Sequence, residues 1–186
     1  MLHRPLAVPS REYVPLNVGE TARAREHWDH SAVAAESRLG GGNEAGKAGF
    51  VSASPLDILR STFGFQDFRG VQDQVIGRVM AGRHTLAVMP TGAGKSLCYQ
   101  VPALARPGTA LVISPLIALM HDQIRAAEGF GLRAAALTSA DSNREETVAR
   151  LKRGELDLLY VAPERATGEA FRSLIGRVPL ALVAID

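Results

Sequence analysis

The segment Thr85-Leu-Ala-Val-Met-Pro-Thr-Gly-Ala-Gly-Lys95-Ser96 joins an apolar, strand-like run to the helix-forming run Leu97-Cys-Tyr-Gln-Val101 through a glycine-rich turn. That order constrains the fold more than any other feature. Backbone N–H groups at a helix N-terminus carry roughly half a positive charge, so a Gly-rich turn there cradles phosphates. A Lys then reaches the terminal phosphates and a hydroxyl holds Mg²⁺. A second segment, Gly41-Gly-Asn-Glu-Ala-Gly-Lys47-Ala48, has the leading Gly of the G-x-x-x-x-G-K-[ST] pattern, which the Met89 segment lacks. It ends in Ala, which cannot bind a metal, and nothing strand-like precedes it. Context therefore selects Thr91, Gly92, Ala93, Gly94, Lys95 and Ser96 as the nucleotide loop and reads Lys47 as part of a flexible linker.

The rest of the chain repeats the strand-to-helix step. Strands are expected at residues 84–89, 110–114, 134–138, 157–161 and 180–185. Helices are expected from Ser54-Pro-Leu-Asp57, over 67–81, and at 95–105, 115–127, 142–153 and about 167–177. All-apolar strands alternating with helices imply an α/β fold, a parallel sheet with helices on both faces. Ligands of such sheets sit beyond the carboxyl ends of the strands. Residues 1–52 differ: six basic and six acidic residues, a Gly-rich run and no sustained apolar period leave too little to offset chain entropy. They are expected to form a disordered extension and linker before a domain at 53–186.

With 186 residues and 46% hydrophobic residues, the chain can bury a core without staples, and its single Cys cannot form an internal disulfide. A reducing, cytoplasmic setting fits. No run of 18 apolar residues exists, and Met1-Leu-His-Arg-Pro-Leu6 lacks a secretory h-region, so no membrane partner is expected. With 21 Lys+Arg against 19 Asp+Glu, net charge neither indicates nor excludes nucleic acid.

The segments Phe63-Gly-Phe-Gln-Asp-Phe-Arg-Gly-Val-Gln72, Met89 to Pro102, Val112-Ile-Ser-Pro-Leu-Ile-Ala-Leu-Met-His-Asp-Gln123, Leu159-Tyr-Val-Ala-Pro-Glu-Arg165 and Leu182-Val-Ala-Ile-Asp186 narrow the class further. In order and spacing the chain resembles the RecQ family of superfamily 2 DNA helicases over about residues 56–186. Ala93 and Gly70 depart from that family, which more usually has Gly and Pro there. The resemblance implies a RecA-like first helicase lobe, ATP and Mg²⁺ as cofactors, single-stranded and duplex DNA as partners, 3′→5′ unwinding in recombination and repair, and a bacterial, nucleoid-associated location.

By the same resemblance, Phe65, Arg69 and Gln72 recognise adenine. The aromatic ring and guanidinium can sandwich a purine while the carboxamide meets its edge. Alone, these residues read equally as an amphipathic helix with Phe63, Phe68 and Val71 in the core. Lys95 and Asp186 are the catalytic candidates, and Ser96 with Asp186 the Mg²⁺ ligands, Asp186 being the first residue of the family's Asp-Glu-Ala-His box. The family's Glu, second lobe and zinc-binding region do not appear in this chain, so it is expected to be an N-terminal fragment that neither hydrolyses ATP nor forms a fully stable lobe. In folds of this kind the strand after the box lies between the phosphate-loop strand and the box strand, so residues 85–89 and 180–185 are expected to face a gap.

Ser114, Pro115, Leu116, Thr138, Ser139, Pro163, Glu164 and Arg165 are the candidate DNA contacts, in loops that follow strands. Each Pro could equally serve only to stop its strand. His27 and His30 read as a solvated segment, Cys98 as packing, and His84 and His121 as surface or cap residues. Two rivals stand beside the main reading. A DEAD-box RNA helicase would have Pro-Thr-Arg-Glu-Leu where this chain has Ser114-Pro-Leu-Ile-Ala-Leu119. A non-catalytic nucleotide- or DNA-binding module is the other.

Overall fold

The computed structural model describes residues 53–138 and 143–186. The Gly41 segment, Lys47, His27, His30 and Ser139 therefore lie outside the described residues, as does the expectation of a disordered extension over 1–52.

Helix α1 (Pro55–Phe63) begins as its sequence dictates. Ser54 Oγ accepts from the Asp57 N–H at 3.2 Å and Pro55 occupies the first turn. Helix α2 spans Gln72–Met80, starting later than the expected Asp67 because Gly70, at φ 55°, turns the chain out of helical geometry. Then follow α3 (Leu97–Ala105), β1 (Thr109–Ile113), α4 (Ile117–Gly129), β2 (Ala134–Leu137), α5 (Arg144–Lys152), β3 (Leu158–Val161), α6 (Pro163–Ala166), α7 (Glu169–Ile175) and β4 (Leu180–Ile185).

The four strands form one parallel sheet in the order β2-β3-β1-β4. Each parallel step needs a crossover, and α4, α5 and the α6–α7 pair supply them. Successive strand residues face opposite sides, so each strand feeds two cores. Ala110, Val112, Leu158 and Tyr160 pack with Leu59 of α1, Val101 of α3 and Met120 of α4. Leu111, Leu159 and Val161 pack with Leu151 of α5 and Phe171 of α7. Full burial of such a side chain contributes about 1.5–3 kcal/mol, which is why both faces must be covered.

The strand expected over 84–89 is a correction. The segment alternates between exposed and half-buried residues as a strand does, but it joins no ladder. A strand exists through its pairing, and β4 pairs with β1 alone. Instead, residues 84–87 and 89 and the whole outer run of β4 from Ala181 line one cleft of about 490 Å³. Leu86 and Val88 are 72% and 82% exposed, and Val183 and Ile185 55% and 84%, so the apolar character written into both segments has no cover among the described residues.

Candidate nucleotide site and comparison with known proteins

Gln72 opens α2 yet is only 2% exposed, and a buried carboxamide must use both its donor and its acceptor. Its Oε1 accepts from the Arg69 N–H at 2.8 Å, while Nε2 donates to the carbonyls of Ala93 at 3.0 Å and Gly94 at 3.1 Å. The amide expected to meet a purine edge thus ties the turn before α2 to the phosphate loop. The Arg69 guanidinium stands 5.7 Å from the centroid of the exposed Phe65 ring. Phe65, Arg69 and Gln72 share a cavity of about 390 Å³ with Gly92, Ala93 and Gly94, within the size range of small-molecule sites.

The loop itself leads into α3 at Ser96, whose side chain makes no capping bond. Among the described residues, the N–H groups of Gly94, Lys95 and Ser96 meet no protein acceptor, whereas those of Leu97 and Cys98 already turn back to Gly94 and Lys95. Three successive free donors at a helix start form an anion-binding concavity. Thr91 and Lys95 are exposed, and Lys95 Nζ reaches only the Pro90 carbonyl, at 3.4 Å. No carboxylate pairs with it among the described residues.

Asp186 follows β4, and its N–H donates to the Ile113 carbonyl at 2.9 Å. Its carboxylate accepts from Gln123 Nε2 at 2.8 Å. Lys95 and Asp186 line the same cleft. The Ser96 hydroxyl and Asp186 carboxylate are hard oxygen donors, the set that suits Mg²⁺, which takes one or two protein ligands plus substrate phosphates. Among the described residues no group of three His, Cys, Asp or Glu side chains gathers.

Because all strands are parallel, the loops after β1, β2, β3 and β4 meet at one edge of the sheet. The candidate DNA residues there are not equivalent. Ser114 and Thr138 are 3% and 2% exposed, so their side chains face inward, while Pro115, Leu116 and Glu164 are exposed. Half-buried Pro163 opens α6, so Pro163, Glu164 and Arg165 are helical and not in the expected loop. Arg165 Nη2 donates to the Thr138 carbonyl at 3.1 Å, tying α6 to the end of β2. His84 and His121 are exposed, the former on the cleft.

Cys98 is buried on α3, and burial pushes its thiol up to about 11. The thiolate, the reactive form, is therefore scarce at pH 8. Labelling of this sole cysteine by a disulfide reagent should run roughly a hundredfold slower in the native chain than in denaturant. Equal rates would show that α3 does not pack as described.

Sequence reasoning missed Gln123, Tyr99 and Tyr160, which form a network behind Asp186. Tyr99 OH donates to Gln123 Oε1 and lies beside the Tyr160 hydroxyl, each at 3.4 Å. The available signal was two tyrosines inside otherwise apolar runs, since a buried phenol needs a partner.

Residues 69–186 match the DEAD/DEAH box helicase family. The ATP-dependent DNA helicase RecQ of Bacillus subtilis (strain 168) is 46% identical over 132 residues, covering 69% of this chain and 22% of the relative. That of Haemophilus influenzae is 44% identical over 133 residues, covering 70% and 22%. ATP-dependent DNA helicase Q-like 5 of Arabidopsis thaliana is 39% identical over 132 residues, covering 69% and 14%. The chain thus spans about a fifth or less of the length of these relatives. Residues 91–96, Arg69, Gln72 and Asp186 all fall within the matched stretch, and the chain belongs to the DEAD/DEAH box helicase family.

Proposed function

We propose that residues 53–186 form the ATP-binding lobe of a RecQ-type, 3′→5′ DNA helicase acting in recombination and repair in the bacterial cytoplasm, at the nucleoid, with residues 1–52 as an appended extension. The observation that carries this reading is the row of free N–H groups at Gly94, Lys95 and Ser96, flanked by the Phe65–Arg69–Gln72 cavity on one side and by Asp186 on the other. The loop N–H groups and Lys95 hold the triphosphate, and Phe65 and Arg69 hold the base. Gln72 exchanges a loop carbonyl for the purine edge, so that base recognition and loop shape change together. Ser96 and Asp186 are the Mg²⁺ ligands, and the ion when bound neutralises phosphate charge and orients the chain.

Single-stranded DNA runs across the strand-end edge, against the 114–116 loop, Thr138 and the first turn of α6, with Ser139 as a further contact. Main-chain groups and Arg165 supply the phosphate contacts there, because the Ser114 and Thr138 side chains face inward. Among the described residues no helix is long and apolar enough to cross a membrane.

The test is strand separation by the full-length protein on duplexes carrying a 3′ or a 5′ single-stranded tail. ATP-dependent opening of the 3′-tailed duplex alone is the expected result. Opening of RNA duplexes instead, or ATP binding without any unwinding, would replace the reading with one of its two rivals.

A further inference from the structure

Behind the strand-end edge lies a row of polar side chains that phosphate and base binding do not use. Tyr99 on α3 and Tyr160 on β3 are 7% and 0% exposed. Their hydroxyls stand 3.4 Å apart, and Tyr99 OH donates to Gln123 Oε1 at 3.4 Å. Gln123, half-buried on α4, donates from Nε2 to Asp186 Oδ2 at 2.8 Å.

An amide can sit in either of two flipped orientations. With Oε1 accepting from the Tyr99 hydroxyl, Nε2 is the end left to face the carboxylate; the reverse flip would set oxygen against oxygen. Asp186 is thereby held twice, its backbone N–H on the last residue of β1 and its side chain on α4. Those two elements flank the Ser114–Leu116 loop, with Pro115 and Leu116 exposed.

We propose that Gln123 is a positioning residue for the metal carboxylate, fixing the Asp186 rotamer and transmitting to it any ligand-driven shift of the 114–116 loop and α4. The inference rests on the reading of Asp186 as a Mg²⁺ ligand and adds the element that links that ligand to the DNA-facing edge. Such outer partners commonly contribute about tenfold or more to metal affinity.

The test uses the full-length protein and a ribose-labelled fluorescent ATP analogue, titrated with Mg²⁺. Gln123→Met keeps the side-chain length and removes the donor. It should raise the Mg²⁺ midpoint about tenfold while Mg²⁺-free nucleotide affinity and melting temperature stay put. Tyr99→Phe, which frees the amide to flip but leaves it in place, should raise the midpoint by a smaller factor. An unchanged midpoint in Gln123→Met overturns the positioning role. So does a raised midpoint accompanied by equal loss of Mg²⁺-free affinity, which marks general damage. Added oligothymidylate should move the wild-type midpoint and leave that of Gln123→Met where it was; equal movement in both, or none in the wild type, overturns the transmission. A wild-type chain whose nucleotide binding ignores Mg²⁺ overturns the reading of Asp186 and this inference with it.

Discussion

Replacing Lys95 with Ala lowers the affinity of the chain for ATP by about one to two orders of magnitude, and replacing Lys47 leaves it unchanged. A charge-assisted hydrogen bond to phosphate contributes about 1.5–3 kcal/mol, which sets that range. Lys95 is exposed, bonded only to the Pro90 carbonyl at 3.4 Å, and follows the Gly94 N–H into a row of free donors. It therefore gives up little on meeting a phosphate. Lys47 sits in a segment that keeps the leading Gly of the pattern but has no strand-like run in the sequence before it and Ala48 where a hydroxyl is needed. The comparison is read by equilibrium titration with a labelled ATP analogue, and equal loss from the two substitutions would mean that spelling, and not context, locates the loop.

Gly94→Ala damages both fold and site. Gly94 has φ +73°, a conformation that costs an L-residue about 1–2 kcal/mol, and an added Cβ would lie 2.5 Å from Gln72 Nε2. The end of a glutamine side chain can usually step aside. This one cannot do so freely, because the same nitrogen donates to Ala93 and Gly94 and the residue is 2% exposed. Moving it leaves buried polar groups short of partners, at about 1–3 kcal/mol. The sum, about 2–5 kcal/mol, corresponds to a fall in melting temperature of roughly 5–15 °C for a domain of this size. ATP affinity should fall with it, since the displaced amide is what shapes the loop. In a Gln72→Ala background the clash is gone, so the two substitutions together should cost less than their sum. Strict additivity would show that Gln72 does not brace Gly94.

The elements that could be read from the sequence are those whose ends carry their own chemistry. Ser54-Pro55 starts α1, and a left-handed Gly64 ends it. β4 lies where its apolar run begins after Pro179 and stops at Asp186. What failed depends on partners distant in the chain. Residues 84–89 have strand composition, but composition cannot supply the second edge of a ladder. The expected 167–177 run holds α7, but Pro163, Glu164 and Arg165, read as part of a loop, form the short helix α6 before it. The turn into α3 was legible because an apolar run, glycines, Lys and a hydroxyl are contiguous. The engagement of Gln72 with carbonyls 21 and 22 residues away was not, nor was the bond from Gln123 to Asp186, 63 residues apart.

The central claim is that one edge of this sheet binds ATP with its phosphates on the 91–96 loop, its base beside Phe65 and its metal between Ser96 and Asp186. A crystal structure of the chain with Mg²⁺ and a non-hydrolysable ATP analogue measures all three at once. The account predicts phosphate oxygens on the N–H groups of Gly94, Lys95 and Ser96, Lys95 Nζ moved from Pro90 to the terminal phosphates, and the purine in the Phe65–Arg69–Gln72 cavity. A nucleotide lodged instead in the cleft between residues 84–89 and β4, with Gly94, Lys95 and Ser96 still facing nothing, would contradict it.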